Sequence, residues 1–253
     1  MEIHKPKPWH GVREFLKEYV IIVVGVLTAL AAEQGVEWLR WQEKVRWAEE
    51  SLRRDQSLLA DVTTERVALG RCLNDRLDQL KARVTDDRLR ASPLPTEAGG
   101  LPMASAYSAP ARAWNTRVWE QITADGTVQH MDRERARTLN LLYLTVQSAF
   151  VANHEEKNEA TDLSVLAEGG LPLGPDQKVA LVQHIERLRM LNNELTSLSR
   201  QILRRVQDDG TLPPLSETTA RLERVSSFQP LTCHYAQEEL KARVAQSWFS
   251  LHR

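Results

Sequence analysis

From Tyr19 to Ala32 the chain reads YVIIVVGVLTALAA, fourteen positions without a charge, and the pattern on either side of this run is helical. Positions 10 to about 88 contain no proline and only Gly11, Gly25, Gly35 and Gly70. The spacing therefore predicts one helix that passes from the apolar run straight into a charged segment. Past the run a heptad emerges, with Val45, Leu52, Leu59, Arg66, Leu73 and Leu80 at one position. Ala48, Asp55, Val62, Leu69, Arg76 and Arg83 occupy the other. Such a seam is apolar enough to pack on neighbours and too polar for a dedicated coiled coil, so it reads as one stave of a bundle.

Pro93, Pro95, Gly99, Gly100, Pro102 and Pro110 then break the pattern over 91–111. A loop of that length is unusual inside a compact domain and points to mobility or function. Ala111 to Ala124, carrying Trp114 and Trp119, predicts a short helix stopped by Asp125-Gly126. Asp132 is placed to cap a helix running to about Glu168, with Leu139, Leu142, Val146, Ala149, Asn153, Glu156, Ala160 and Leu163 on its seam. After a glycine-rich turn at 169–174, Pro175 opens a helix through Asp208 that Asp209-Gly210 ends. Ser216 is expected to cap a short helix, and Thr232 a last one reaching Trp248 and Phe249. No segment alternates with period two over β-branched residues, so no strand is expected. The resulting expectation is an all-α protein. A membrane helix continues into an antiparallel bundle of about four main helices with a short helix inserted. Its divisions are a tail over 1–18, an anchor over 16–38 and a bundle over 39–253.

Fourteen residues of helix cover ~21 Å, less than the ~30 Å hydrocarbon core, and the flanks supply the difference. Phe15 and Leu16 lengthen the run on one side, Gly35 and Val36 on the other, and Lys17 can carry its ammonium to the headgroups. Trp9 before the run and Trp38 and Trp41 after it suit the two interfaces. A face of small residues, Gly25, Ala29 and Ala32, can pack on another membrane helix. Two rival readings are a cleaved signal peptide, with Ala29-Leu30-Ala31 as its site, and a buried core helix. Helical character continuing past that site favours an uncleaved anchor. Lys5, Lys7, Arg13 and Lys17 before the run nearly balance Arg40, Lys44 and Arg46 after it. The favoured direction keeps the N-terminus cytoplasmic and sends the bundle into the periplasm of a bacterium.

A formal net charge of −1 over 253 residues gives no electrostatic footprint for nucleic acid. The two cysteines, Cys72 and Cys233, make one disulfide in an oxidising compartment or two buried thiols in a reducing one. Motifs that carry chemistry are missing: no phosphate-binding glycine loop, no nucleophile elbow, and no metal-spaced histidines. His154 and His184 read as residues at helix surfaces or core edges. Neither catalysis nor a cofactor is expected. Polar residues on the seams are more informative. Arg66 and Arg76 on the first helix, with Asn153 and Glu156 on a later one, form a buried polar layer or else mark a seam drifting to the surface. Asp55 interrupts the first seam in the same way.

Several stretches together resemble a known group. Trp9-x-x-x-Arg13-Glu-Phe-Leu16 leads into a run ending Gly25-Val-Leu-Thr-Ala-Leu-Ala-Ala-Glu-Gln34, then Val36-Glu-Trp38 and a charged helix. Downstream come Ala113-Trp-Asn115, Asp125-Gly126 and a charged helix with Tyr143. This pattern resembles bacterial single-span, membrane-anchored proteins classed as a domain of unknown function. The resemblance implies location and architecture, not an activity. The expected partners are the lipid bilayer and a protein, or a second copy, meeting the anchor and the long first helix. The functional expectation is an anchored interaction or scaffold protein of a bacterial inner-membrane complex. The alternative is a periplasmic ligand-binding or sensor-like bundle acting through a membrane partner.

Overall fold

The computed structural model describes residues 11–90, 97–98, 101–102, 106–110, 112–167, 172–226, 233, 242 and 244–246. Helix α1, Val12–Thr85, is unbroken for 74 residues, about 110 Å of rise. It is followed by α2, Asp87–Arg90, and by a minimal hairpin of β1, Glu97–Ala98, and β2, Leu101–Pro102. Then come α3, Arg117–Ala124, α4, Arg133–Thr161, α5, Pro175–Asp208, and α6, Leu215–Ser226. The protein is overwhelmingly helical, as the periodicity predicts; the two-residue strands at 97–102 were not expected.

Several boundaries fall where local chemistry puts them. Asp132 caps α4 by accepting from the Arg135 amide at 3.0 Å. Pro175 opens α5, and the Gln177 side chain accepts from the Gly174 amide at 2.9 Å. Gly126 and Gly210 turn the chain in the left-handed region, φ 79° and 68°, which is why an Asp-Gly pair ends both helices. Helix α4 stops at Thr161, short of Glu168, because a 3-10 turn at Ser164–Leu166 follows and buries Leu163 and Leu166 in the core. The short helix begins at Arg117 rather than Ala111, and residues 112–116 before it are not helical. Ser216 lies inside α6 and does not cap it. Thr232, Trp248 and Phe249 lie outside the described residues.

The expected antiparallel arrangement of about four main helices needs correction. Three long helices form the body, and α1 and α4 run the same way. Arg135 of α4 meets Glu49 of α1, Tyr143 meets Asp55, and Glu156 meets Arg66, so both sequences climb together. Helix α5 descends against both, from Glu186 beside Lys81 to Asp209 beside Arg135. The return from the top of α1 is made by a strap, described over residues 106–110 and 112–116. Arg76 holds Ala106, Glu65 holds Arg112 and Asp55 holds Asn115. Nine extended residues span ~30 Å, matching the ~31 Å that α1 rises between Asp55 and Arg76. Few Cα atoms of α1 and α4 approach closely, whereas α5 lies near both; strap side chains fill the wider gap. Ala106, Tyr107 and Trp114 are buried there.

The main core divides in two along the axis, with a small third cluster of Ala68, Leu222 and Val244. The part nearer the N-terminal end of α1 contains Leu52, Leu59, Ile122, Leu142, Val146 and Ile202. The distal part contains Leu73, Leu77, Leu80, Leu163, Ile185 and Leu188. Below the body, every residue from Val12 to Arg40 except Val23 is exposed.

Candidate functional site

Between the two apolar halves lies a closed ionic layer. Arg66 donates through Nη1 to Glu156 Oε2 at 2.8 Å and through Nη2 to Oε1 at 2.6 Å. Nη2 also donates to Asn192 Oδ1 at 2.8 Å, and the Tyr107 hydroxyl donates to Glu156 Oε1 at 2.9 Å. Asn192 passes its amide protons to the Gly70 carbonyl at 2.7 Å and to Asn74 Oδ1 at 2.8 Å. Arg66 and Glu156 side chains are each 2 % exposed. Burial is the largest single influence and opposes the Arg66 charge, but Glu156 and Tyr107 together outweigh it and hold the guanidinium above its ordinary range. The Tyr107 hydroxyl is pushed up, first by burial and then by Glu156. A bidentate pair inside an apolar core fixes the level at which three elements and the strap meet.

Of the four residues expected in this layer, the structure brings Arg66 and Glu156 together and leaves two outside. Arg76 lies higher, donating from Nε to the Ala106 carbonyl at 3.1 Å, and burial lowers its pKa. Asn153 donates to the Pro110 carbonyl at 3.4 Å. Both secure the strap. Asn192 and Tyr107 were missed. Asn192 sits on the apolar seam of α5 between Leu188 and Leu195, a signal that was legible; Tyr107 sits in a stretch read as loop.

A second polar group lies nearer the N-terminal end of α1. Asp55, 3 % exposed, accepts from the Tyr143 hydroxyl at 2.6 Å and from Asn115 Nδ2 at 2.8 Å. Burial raises its pKa, and those two hydrogen bonds work against the rise. The Trp119 ring stacks on Tyr143 with centroids 5.5 Å apart. Beside this group opens a hollow of about 720 Å³ walled by Asp55, Leu58, Trp114, Arg117, Gln147 and Phe150. The indole N–H of Trp114, a buried residue, has no acceptor among the described residues. A smaller hollow of about 310 Å³ flanks the ionic layer between Tyr107, Asn153 and Lys157.

On the far side of α4, His184 Nδ1 lies 2.6 Å from Glu159 and 3.6 Å from Asp162. Sequence spacing did not join these three. Arg187 Nε approaches the same Glu159 carboxylate at 3.5 Å, so the group reads as an ion-pair network at the α4–α5 edge.

Cys72 and Cys233 are joined as a disulfide, the oxidised alternative of the two left open. It ties Cys233, beyond α6, to the C-terminal part of α1.

In the N-terminal segment, Lys17 and Trp38 are exposed, as are Gly25, Ala29 and Ala32, and nothing lies within 4 Å of a Cβ built on Gly25. Trp41 differs from the expectation of a free interfacial ring. It stacks on His130 at 3.8 Å between centroids, with Lys44 Nζ 4.4 Å from the indole. The body thus grips α1 at Trp41. Trp9 lies outside the described residues. One helix among the described residues, α1, is long and apolar enough to cross a membrane; none of its apolar window is buried by the body. No protein-family model, curated protein or solved structure matches the chain.

Proposed function

We propose that this chain is a single-pass, membrane-anchored interaction protein of the bacterial inner membrane. Its N-terminus is cytoplasmic and its helical body periplasmic. The observation that carries this reading is the bare lower part of α1. An apolar helix left wholly uncovered by its own body needs another apolar environment, and a bilayer provides one. The buried-helix alternative finds no element among the described residues to bury it. Continuity supports the same reading: α1 enters the body without a break, so body and anchor move as one rod. Trp41 stands only ~14 Å beyond Ala32, within reach of the headgroup layer, so the base of the body rests at the membrane surface. The disulfide agrees with an oxidising compartment.

The Arg66–Glu156 layer is bidentate at its centre, with Arg66 Nε left without an acceptor among the described residues, and it favours a rigid support over a reactive centre. Its charges are neutralised within the core and turned away from solvent. Interaction is therefore assigned to outer surfaces. Resistance of the full chain to carbonate extraction, together with activity of a C-terminal alkaline phosphatase fusion, is the expected result. An inactive fusion would reverse the orientation, and release by carbonate would remove the anchor.

A second reading has its own observation. The hollow beside Asp55 combines a buried carboxylate, an indole N–H without an acceptor among the described residues, and exposed aromatic and aliphatic walls. That combination suits a small amphipathic ligand. Thermal-shift screening of the purified chain with small polar metabolites tests it, with Asp55→Asn abolishing any shift. A flat screen would dismiss the ligand-binding alternative.

A further inference from the structure

Helix α4 carries two apolar stripes, and the body uses only one. Leu139, Leu142, Val146 and Ala149 are buried against the core. Leu141, Leu144 and Val151 lie on the opposite side and are 41, 52 and 50 % exposed. With Ser148 between them, their steps are three, four and three residues, the alternation of a coiled-coil seam. Core packing does not explain this second stripe.

We infer that the outer stripe of α4 is a docking surface for the same stripe of a second copy, in parallel and in register. The inference rests on the membrane-anchored reading. Two copies held in one bilayer share their direction, and the symmetry axis relating them lies along the membrane normal. Helix α4 runs with α1, so it stands along that normal. Rotation about the axis then brings Leu141 against Leu141, Leu144 against Leu144 and Val151 against Val151. An antiparallel meeting is excluded by the tether.

The flanks agree with self-association. Asn140, Thr145 and Gln147 border the stripe without charge, so identical surfaces meet without like-charge repulsion. On α4 charge returns at the ends, with Arg137 and Glu155, while Glu194 of α5 borders the hollow beside Leu144, Ser148 and Val151. The seam is left open by the chain's own C-terminal segment at its described points: Cys233 is held at Cys72, and Val244 packs on Ala68 of α1. A few side chains bury less area than a freestanding dimer needs. Confinement in two dimensions supplies the missing effective concentration, so the dimer belongs to the membrane and dissociates on dilution in detergent.

The test places a thiol on the seam of the full chain in its own membranes. Both native cysteines are engaged with each other, leaving no free one among the described residues. Ser148→Cys is expected to convert most of the chain to a disulfide-linked dimer under mild oxidation. Arg71→Cys, exposed on α1, is expected to leave it monomeric. Adding Leu144→Glu to Ser148→Cys is expected to cut the dimer at least tenfold, with an unchanged melting temperature showing that the body is intact. Adding Gly25→Leu leaves the dimer unchanged, because the seam and not the anchor's small face makes the contact. A Ser148→Cys monomer in carbonate-resistant membranes overturns the dimer and leaves the anchor standing. Equal cross-linking at positions 71 and 148 also overturns it. Release of the chain by carbonate overturns both readings.

Discussion

Arg66 shows what one charged side chain does inside this core. Arg66→Met leaves Glu156 buried with only Tyr107 to answer its charge, so a loss of about 3–5 kcal/mol is expected in chemical denaturation. Arg66→Met combined with Glu156→Met removes both charges and is expected to recover most of that loss. Equal stability of Arg66→Met and the native chain would mean that the layer contributes nothing to the fold. Asp61 offers a test by pH. Burial is the main influence on its carboxyl and raises the pKa from 3.8 to about 6, despite Arg221 at 2.9 Å. Between those two values the folded chain binds more protons than the unfolded one, so Asp61 lowers stability as pH rises through that window. Asp61→Asn cancels this contribution. The melting temperature of the variant minus that of the native chain is expected to be more positive at pH 7.5 than at pH 4. A difference independent of pH would show that Asp61 titrates normally.

At the scale of elements, Gly70 sets how closely α1 and α5 approach. A Cβ there would stand 2.6 Å from Thr196 Oγ1, and the Gly70 carbonyl accepts from Asn192 at 2.7 Å. Gly70→Val is expected to destabilise by ~1–3 kcal/mol through overpacking, and Thr196→Ala is expected to restore part of it. The single helix from the apolar run into the body was legible because no proline and few glycines interrupt it. The caps at Asp132 and Pro175 and the stops at Gly126 and Gly210 were legible because each acts within a few residues. The strap was not. Its composition reads as loop, and its extended course depends on Arg76, Glu65 and Asp55, residues 30 to 60 positions away that hold it against α1. A missed strap reverses the inferred direction of α4. Half of the polar layer was found because Arg66 and Glu156 break apolar ladders. Arg76 and Asn153 break them too, but serve the strap, which periodicity alone does not separate.

For the molecule as a whole, the disulfide is a long-range tie, closing a sequence separation of 161 residues. The chain-entropy model assigns such a closure about 4–5 kcal/mol. Replacing both cysteines with serine is expected to lower the melting temperature. It also exposes the chain beyond Ser226 to limited proteolysis, while the core of α1, α4 and α5 resists. Retention of the native cleavage pattern would show that α6 and its contacts suffice without the bond.

The sequence by itself determined the helical class, the unbroken rod and its apolar lower part, because these follow from short-range spacing and backbone preference. Only the tertiary structure decided which way α4 runs, which partners close around Arg66, that Trp41 belongs to the body, and which stripe of α4 stays bare. Each of these depends on where distant residues meet. A helical pattern marks an apolar face, but only packing determines whether the chain itself covers it.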